Sequence, residues 1–283
     1  MQETDPLKNS RQNFPPSCIR LVAIDLDGTL LNSSKELPAG TAEVFKEARR
    51  AGLYISIVTG RNACSVRALG KVLSFSGPHA SSGGALVSGN GGRPVYTRHP
   101  LNLEDTRRIV EICRRWHLTI FLQNDRRILM ENGDRHLAGV SRPYYPCAPQ
   151  ACKDILAELR FKPLKATIYG ETKDLEGARL DFENCGGCFH ATTAGEEDIE
   201  ITSSGVNKGS ALREISAATG IPLINIMAIG DSPNDLSMFQ EAGVSVAVAN
   251  ALPEVKQAAH VIAPSNDEAG ALWAIRRLAL TAL

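Results

Sequence analysis

Leu21-Val-Ala-Ile-Asp25-Leu-Asp27-Gly28-Thr29-Leu30 joins a run of Val, Ile and Leu to two acids that stand one residue apart. The apolar run predicts a buried strand that presents Asp25 and Asp27 at its C-terminal end. Two carboxylates so close repel each other and would take up protons unless a cation or hydrogen bonds kept them ionised. A divalent metal ion is the simplest such cation. Gly28 allows a sharp turn, so that backbone N–H groups and the Thr29 hydroxyl could converge on an anion beside the acids.

The stretch resembles motif I of the haloacid dehalogenase (HAD) phosphatase superfamily. In that family the first acid of the motif is the nucleophile, and the second is the general acid and base. The resemblance therefore implies these roles for Asp25 and Asp27. A strand followed by an Asp-rich turn is also common in α/β proteins without such a function, so this stretch alone does not establish the function.

The bulk composition is that of a globular protein with no preference for a polyanion. The chain has 283 residues, 31 Lys and Arg against 31 Asp and Glu, and 43% hydrophobic residues. The balanced charge argues against a nucleic-acid partner. No apolar run approaches the roughly 20 residues that cross a bilayer, and the first residues lack the apolar segment of a signal peptide. We therefore expect a cytoplasmic protein without a membrane partner, whose residues 1–18 form a disordered tail.

A second motif follows the next predicted strand. Apolar residues at helical spacing predict a helix over residues 38–51, and residues 53–58 form another continuous apolar strand. Strand, helix and strand imply a right-handed crossover in a parallel sheet, which brings Thr59 beside Asp25. The Thr59 hydroxyl and the N–H of Gly60 suit a phosphate oxygen. Thr59-Gly60-Arg61 resembles motif II of the family in order and position.

Two further motifs lie in the last third of the chain. Asn207 is predicted to cap a helix whose first turn contains Lys208, where a cation is unfavourable unless an anion lies close by. The apolar strand of residues 223–229 ends in Gly230-Asp231-Ser-Pro-Asn234-Asp235, whose acids suit a hard cation. Lys208 resembles motif III and the acidic run resembles motif IV of the family.

Between these motifs, residues 98–202 have a different pattern. Alternating and helical periodicities predict about four strands and three helices, with one face of the sheet in solvent. The segment matches, by position and pattern, the α/β cap of the Cof-like branch of the superfamily. Relatives in that branch usually have Ser-Asn-Gly-Ala just before the cap, whereas this chain has Ser82-Gly83-Gly84-Ala85, so the role of that Asn cannot be carried over to Gly83. The irregular loop of residues 131–149 either faces substrate or is simply solvated.

Four cysteines in this segment allow one alternative site. Cys147 with Cys152, and Cys185 with Cys188, could in principle bind zinc through four thiolates. The spacing of the first pair is wide for a zinc knuckle, so we do not predict this site.

The predicted fold is α/β, with a doubly wound, Rossmann-like parallel-sheet core of residues 19–97 and 203–283 and an inserted α+β cap domain of residues 98–202. The resemblance implies strand order 3-2-1-4-5, with Asp25 on the central strand. It also implies a Mg²⁺-dependent phosphatase that hydrolyses a small phosphomonoester through an aspartyl-phosphate. The predicted catalytic residues are Asp25, Asp27, Thr59 and Lys208. The predicted phosphate-binding residues are Asp25, Gly28, Thr59, Gly60, Lys208 and Asn234. The predicted Mg²⁺ ligands are Asp25, Asp27 through its backbone carbonyl, Asp231 and Asp235.

Two rival functions remain open at this point. Phosphosugar mutases of the phosphomannomutase type share this kind of core and cap, and would isomerise a sugar phosphate with a bisphosphate activator. A non-catalytic sensor could keep the fold to bind a phosphorylated ligand, although it would not need a nucleophile. In each case the partner is a small phosphorylated metabolite that the sequence does not identify.

Overall fold

The computed structural model describes residues 19–73, 75–133, 148–192 and 198–281. The predicted tail of residues 1–18 and most of the predicted loop of residues 131–149 lie outside the described residues. No helix in the described ranges is long and apolar enough to span a bilayer.

The described residues form fourteen strands and nine α-helices. The strands are, in chain order, β1 (Leu21–Ile24), β2 (Tyr54–Ile57), β3 (His79–Ser81), β4 (Leu86–Ser88), β5 (Val95–Arg98), β6 (Thr119–Gln123), β7 (Ile128–Glu131), β8 (Gln150–Ala151), β9 (Lys165–Tyr169), β10 (Phe189–Thr192), β11 (Asp198–Ser203), β12 (Ile226–Gly230), β13 (Val244–Val248) and β14 (Val261–Ala263). The helices are α1 (Thr41–Arg50), α2 (Ala63–Leu73), α3 (Leu103–Arg115), α4 (Ile155–Glu158), α5 (Thr172–Asn184), α6 (Lys208–Thr219), α7 (Leu236–Glu241), α8 (Pro253–Ala258) and α9 (Gly270–Ala274).

A five-stranded sheet forms the core and is parallel throughout. Its order is β14-β13-β12-β1-β2, so β1 lies in the interior between β12 and β2. All four residues of β1 are buried, as its unbroken apolar run predicts. Burial of a Leu or Ile side chain contributes about 1.5–3 kcal/mol, which favours an interior position for this strand. The middle strand of the five is β12, so Asp25 follows an interior strand and not the central one that the resemblance implies. Because the strands run parallel, their C-terminal ends and the residues that follow them meet at one edge.

The third predicted strand is not a full member of the parallel core sheet, as the implied order 3-2-1-4-5 requires. β3 pairs antiparallel with β4, and β4 with β5, in a separate three-stranded sheet. β3 reaches the core sheet only through an isolated parallel bridge between Val58 and Ala80. The chain turns back directly after Ser81, so the three residues of β3 are too few to extend the parallel sheet further.

The predicted insert contains a second large sheet. Its order is β10-β11-β9-β6-β7-β8, which makes six strands where about four were predicted. The prediction of a solvated face is wrong for its central strands, because every residue of β6 and β7 is buried. Ile120 and Leu122 pack into the cluster beneath the helices, whereas Phe121 packs with Ile128 on the opposite face. That opposite face lies over the end of the core sheet, which accounts for its burial. The domain boundaries at residues 98 and 202 stay a prediction.

The cysteines considered for zinc are not brought together in the described part of the chain. Cys147 lies outside the described residues. Cys152 and Cys185 pack against the apolar cluster of the second sheet, and no group of three potential ligands among the described residues includes a cysteine.

Candidate active site

Asp25 follows β1 directly and lies at the C-terminal edge of the core sheet. Its N–H donates to the carbonyl of Ile229 on β12, and its side chain is only 7% exposed. One carboxylate oxygen lies 2.8 Å from the Lys208 ammonium. Burial raises the pKa of Asp25 well above its usual range, and the neighbouring Asp235 and Asp231 raise it further, while Lys208 acts in the opposite direction. The ionised form of this acid therefore needs more positive charge than Lys208 supplies.

Lys208 is held at the start of α6 by a capping box. The Asn207 side chain accepts from the Ser210 N–H at 2.8 Å, and the Ser210 hydroxyl accepts from the Asn207 N–H. Lys208 is 3% exposed, and its ammonium also lies 2.6 Å from Asp235. Burial alone would lower the pKa of Lys208, but Asp235 and Asp25 together hold it above its usual value. These two acids are the anions that the unfavourable helix position of Lys208 required.

The acidic cluster of Asp25, Asp231 and Asp235 is the candidate metal site. These carboxylates each offer an oxygen within 4.8 Å of the others, and no other such cluster exists among the described residues. Burial raises the pKa of Asp231 to about 6, with a further contribution from Asp235 and an opposing one from the Thr29 hydroxyl. Three carboxylates thus face one ammonium, and a divalent cation bound through oxygen ligands fits this excess of negative charge.

Asp235 has a different environment from the other two acids. It is fully buried, and one of its oxygens accepts from the N–H groups of Asp231 at 2.9 Å and Ser232 at 3.0 Å. Its other oxygen accepts from Lys208. Asp235 therefore fixes both the loop that presents Asp231 and the position of the ammonium.

The expectation that the Thr29 hydroxyl helps to bind an anion is wrong. This hydroxyl donates to Asp231 at 2.6 Å, so it orients an acid instead. Gly28 has a φ of +78°, and a Cβ atom there would overlap the Asp231 carboxylate. The turn after β1 therefore requires glycine both for its backbone conformation and for the close approach of Asp231. The Gly28 carbonyl accepts from Asn250 at 2.7 Å, a contact that no sequence motif indicated.

Asp27 lies near Asp25 and forms ion pairs with two cations. Arg61 donates two hydrogen bonds of 2.6 Å to its carboxylate, and Lys35 lies 3.3 Å away. Burial would raise the pKa of Asp27, but Arg61 and Lys35 together hold it below its usual value. Asp27 is therefore a carboxylate in this arrangement. Neither cation was predicted to contact Asp27: Arg61 stands in the sequence only as the last residue of motif II, and no motif includes Lys35.

Thr59 and Gly60 form the loop after β2 and line the same cavity as Asp25. Thr59 is buried, and its hydroxyl oxygen accepts from the Arg61 N–H at 3.1 Å. Because the oxygen is occupied as an acceptor, the hydroxyl proton can be donated to another group. The Thr59 N–H, in contrast, donates to the Ala80 carbonyl and takes no part in the cavity.

A cavity of about 720 Å³ lies between the core edge and the second sheet. This volume is within the range of small-molecule sites. The core contributes all the residues predicted for catalysis and phosphate binding, together with Asp231. The second sheet contributes Phe121, Gln123, Ile128, Lys165, Thr167, Tyr169, Asp198 and Glu200. Of the predicted site residues, only Asp235 does not line this cavity, since it is enclosed behind Lys208.

Gly83 lines a recess of about 100 Å³ beside Lys208 and Asn234. Its φ is +68°, and a Cβ atom there would meet only the Thr202 methyl group, at 3.4 Å. The place of the usual Asn is thus left open next to the site. The Asn234 side chain accepts from the Ser232 hydroxyl at 2.8 Å and lies at the border of this recess and the main cavity.

The similarity of the chain to known proteins agrees with this geometry. A profile of the haloacid dehalogenase-like hydrolases matches residues 22–275. The 5-amino-6-(5-phospho-D-ribitylamino)uracil phosphatase YcsE of Bacillus subtilis is 29% identical over 262 residues, which cover 93% of this chain and 96% of that protein. The pyridoxal phosphate phosphatase YbhA of Escherichia coli is 25% identical, with 87% of this chain and 94% of that protein covered.

Among solved structures, a haloacid dehalogenase-like hydrolase from Bacteroides thetaiotaomicron superposes with a TM-score of 0.83. Its sequence is 27% identical, and the match covers 92% of this chain and 99% of that one. The match of fold and sequence extends over the core sheet, the second sheet and the motifs that meet between them. This chain therefore belongs to the haloacid dehalogenase-like hydrolase family and is an enzyme of that family.

Proposed function

We propose that this enzyme is a Mg²⁺-dependent phosphatase that hydrolyses a small phosphomonoester through an aspartyl-phosphate on Asp25. The observation that carries the proposal is the pairing of Asp25 with the buried Lys208 at the floor of the cavity, within the cluster of three carboxylates. A nucleophilic carboxylate, a fixed ammonium and a cation site are the groups that phosphoryl transfer requires.

The residues that would hold Mg²⁺ are Asp25, Asp231 and the backbone carbonyl of Asp27. When bound, Mg²⁺ supplies positive charge that offsets the carboxylates and the phosphoryl oxygens. Asp235, also predicted as a Mg²⁺ ligand, would adjust the metal shell from behind instead of binding the ion directly, because its oxygens already accept hydrogen bonds from the Asp231 N–H, the Ser232 N–H and Lys208.

In the first step, an oxygen of Asp25 attacks phosphorus while the bond from phosphorus to the alcohol oxygen breaks. The electron pair of that bond goes to the alcohol oxygen, which takes a proton from Asp27. In the second step, Asp27 takes a proton from water, and the water oxygen displaces Asp25 from phosphorus to release inorganic phosphate.

The ion pairs with Arg61 and Lys35 favour the carboxylate form of Asp27, which is the form that takes a proton from water in the second step. A dianionic phosphate ester beside Asp27 would raise its pKa and so favour the protonated form that the first step needs. Lys208 and the Thr59 hydroxyl would donate to the transferring phosphoryl oxygens, together with the N–H groups of Gly28 and Gly60. Asn234 would bind phosphate from the side of the recess.

The substrate is proposed to be a small phosphorylated metabolite, such as a sugar phosphate, a nucleotide or a cofactor phosphate. The relatives named above act on a phosphorylated ribitylaminouracil and on pyridoxal phosphate, which are both of this kind. The size of the cavity and its mixture of charged and aromatic walls support this class without distinguishing its members.

The test is phosphate release from a panel of such esters by the purified protein, with Mg²⁺ and with excess chelator, and with Asp25→Asn as the control. We expect release that depends on Mg²⁺ and is lost in Asp25→Asn. Isomerisation that needs a bisphosphate activator, with little free phosphate, would instead identify a mutase. Binding of phosphate esters without turnover would identify a sensor.

A further inference from the structure

A lysine of the second sheet contacts the loop that follows β2. Lys165 lies on β9 and is 3% exposed, and its ammonium donates to the Gly60 carbonyl at 2.6 Å. The same ammonium donates to Glu200 on the neighbouring strand β11, whose side chain is 13% exposed. The contact therefore joins residues 105 positions apart and connects the second sheet directly to motif II.

Gly60 permits this contact because it has no side chain. A Cβ atom at Gly60 would lie 3.2 Å from both Glu200 oxygens and 3.5 Å from the Lys165 ammonium. The ion pair is thus packed against the backbone of the loop.

The peptide unit that joins Gly60 to Arg61 is held at both of its polar ends. Its carbonyl accepts from Lys165, and its N–H donates to the Thr59 hydroxyl oxygen at 3.1 Å. This second hydrogen bond leaves the Thr59 proton to be donated into the cavity. The same residue, Arg61, then holds Asp27 with two hydrogen bonds. The position of this one peptide unit therefore determines where the Thr59 hydroxyl proton points and where the Arg61 side chain starts.

From this arrangement we infer that Lys165, held by Glu200, is a positioning residue for the phosphoryl-transfer site, acting through the Gly60–Arg61 peptide. The inference rests on the proposed phosphatase function. In this role Lys165 makes catalysis depend on the second sheet lying over the core. It also means that Lys165 acts on the phosphoryl group common to all substrates, whichever alcohol is released.

Two other roles of the pair make different predictions. If the ion pair is purely structural, removing one partner alone should lower stability, whereas removing both should cost little, and turnover by the folded protein should not change. A contact to the leaving group would affect some substrates and spare others. The size of the loss across different leaving groups therefore separates these roles.

The experiment compares Lys165→Met, Lys165→Arg and the double variant Lys165→Met/Glu200→Met with the wild-type enzyme. The double variant leaves no unpaired buried carboxylate, so it guards against a simple failure to fold, which far-UV circular dichroism and the melting temperature would report. Lys162→Met removes an exposed lysine three residues earlier and serves as the matched control. Each protein is assayed with p-nitrophenyl phosphate and with the best alkyl phosphate of the panel.

We expect kcat to fall about 10²-fold in Lys165→Met and in the double variant, by a similar factor for both substrates, because small misplacements of reacting groups have effects of this size. KM should rise by no more than about tenfold and by a similar factor for both substrates, because the groups displaced bind the phosphoryl group that the substrates share. Lys165→Arg should recover part of the loss, because it can still donate to the Gly60 carbonyl. Lys162→Met should match the wild type.

Three results would overturn the inference. A loss confined to one substrate would show that Lys165 binds the leaving group. Wild-type activity in the double variant would show that only the unpaired charge had mattered. Unchanged kcat in folded Lys165→Met would show that the peptide needs no such support.

Affinity for inorganic phosphate, measured by calorimetry with Mg²⁺, gives a readout that is independent of turnover. We expect Lys165→Met to bind phosphate about tenfold more weakly than the wild type, and equal affinities would count against the inference. Absence of turnover in the wild type would refute the proposed function alone, and the phosphate affinities would then decide this inference. Full wild-type turnover together with an unaffected Lys165→Met would refute the inference alone.

Discussion

Replacing Asp235 and Asp231 separately by asparagine should have different effects, although both acids belong to one cluster: the first change should lower stability, and the second should abolish stabilisation by Mg²⁺. The Asp235 oxygens accept three hydrogen bonds, from two backbone N–H groups and from Lys208. An asparagine side chain has one acceptor oxygen and one NH₂ donor. Whichever way the amide of Asp235→Asn turns, its NH₂ group points at donors. Either Lys208 or the loop that presents Asp231 must lose its acceptor.

The magnitude follows from the burial of this pair. Removing one partner of a buried ion pair costs about 3–5 kcal/mol. Loss of one negative charge also relieves repulsion with Asp25 and Asp231, so we expect the lower end of this range, a decrease of about 3 kcal/mol in the free energy of unfolding.

Asp231→Asn is the matched control. Its amide oxygen can still accept from the Thr29 hydroxyl, which now donates to Asp231 at 2.6 Å. Burial, with a further contribution from Asp235, already raises the pKa of Asp231 to about 6, so the fold without metal does not favour the charge that is removed. We expect the free energy of unfolding of this variant, in chelator, to lie within about 1 kcal/mol of the wild type.

Urea unfolding followed by circular dichroism, first with EDTA and then with Mg²⁺, tests both variants. Mg²⁺ that binds only the folded state should stabilise the wild type and shift its midpoint upward. That shift should disappear in Asp231→Asn. If Asp235→Asn is as stable as the wild type in EDTA, the structural role of its carboxylate is wrong. If Asp231→Asn keeps the full Mg²⁺ shift, Asp231 is not a metal ligand.

Three other predictions concern single positions. Asp27→Asn should accumulate a phosphoryl adduct on Asp25 with an aryl phosphate, because loss of the base slows the second step more than the first. Acid quench followed by intact-mass measurement should detect this adduct and find none in Asp25→Asn. An adduct on His or Ser would contradict the assignment. Gly83→Asn should fold with a melting temperature close to that of the wild type, since asparagine tolerates a φ of +68° and the space is open, whereas Gly84→Ala, at a φ of +104° and against backbone, should destabilise the fold by more than about 1 kcal/mol; equal melting temperatures would refute this contrast. Burial lowers the pKa of His79 to about 3, whereas a histidine in the unfolded chain binds a proton near pH 6.5. The unfolded state therefore binds more protons than the folded state below pH 6.5, and stability should fall as the pH falls from 6.5 towards 3. The free energy of unfolding should drop by about 2 kcal/mol between pH 6.5 and 5, and His79→Gln should reduce this pH dependence.

The sequence by itself determined which groups meet at the site. Asp25, Thr59 and Asp231 each follow a continuous apolar run, and parallel strands bring their C-terminal ends to one edge of the sheet. The capping pattern at Asn207 likewise placed Lys208 in the first turn of a helix, where it needed an anion. These conclusions depend on local periodicity and on the chirality of the crossover, which short stretches of sequence contain.

Only the tertiary structure decided what each polar group contacts. The Thr29 hydroxyl turns to Asp231 instead of the cavity, and Arg61 grips Asp27, because side-chain directions depend on neighbours more than 30 residues away. The face of the second sheet that was predicted to be solvated is buried along its central strands, since no periodicity within a strand shows which surface will lie over it. The contact of Lys165 with the Gly60 carbonyl joins two separate sheets through one hydrogen bond. A single long-range contact of this kind leaves no pattern in the sequence, because it depends on how the two sheets pack and not on the order of the residues within either of them.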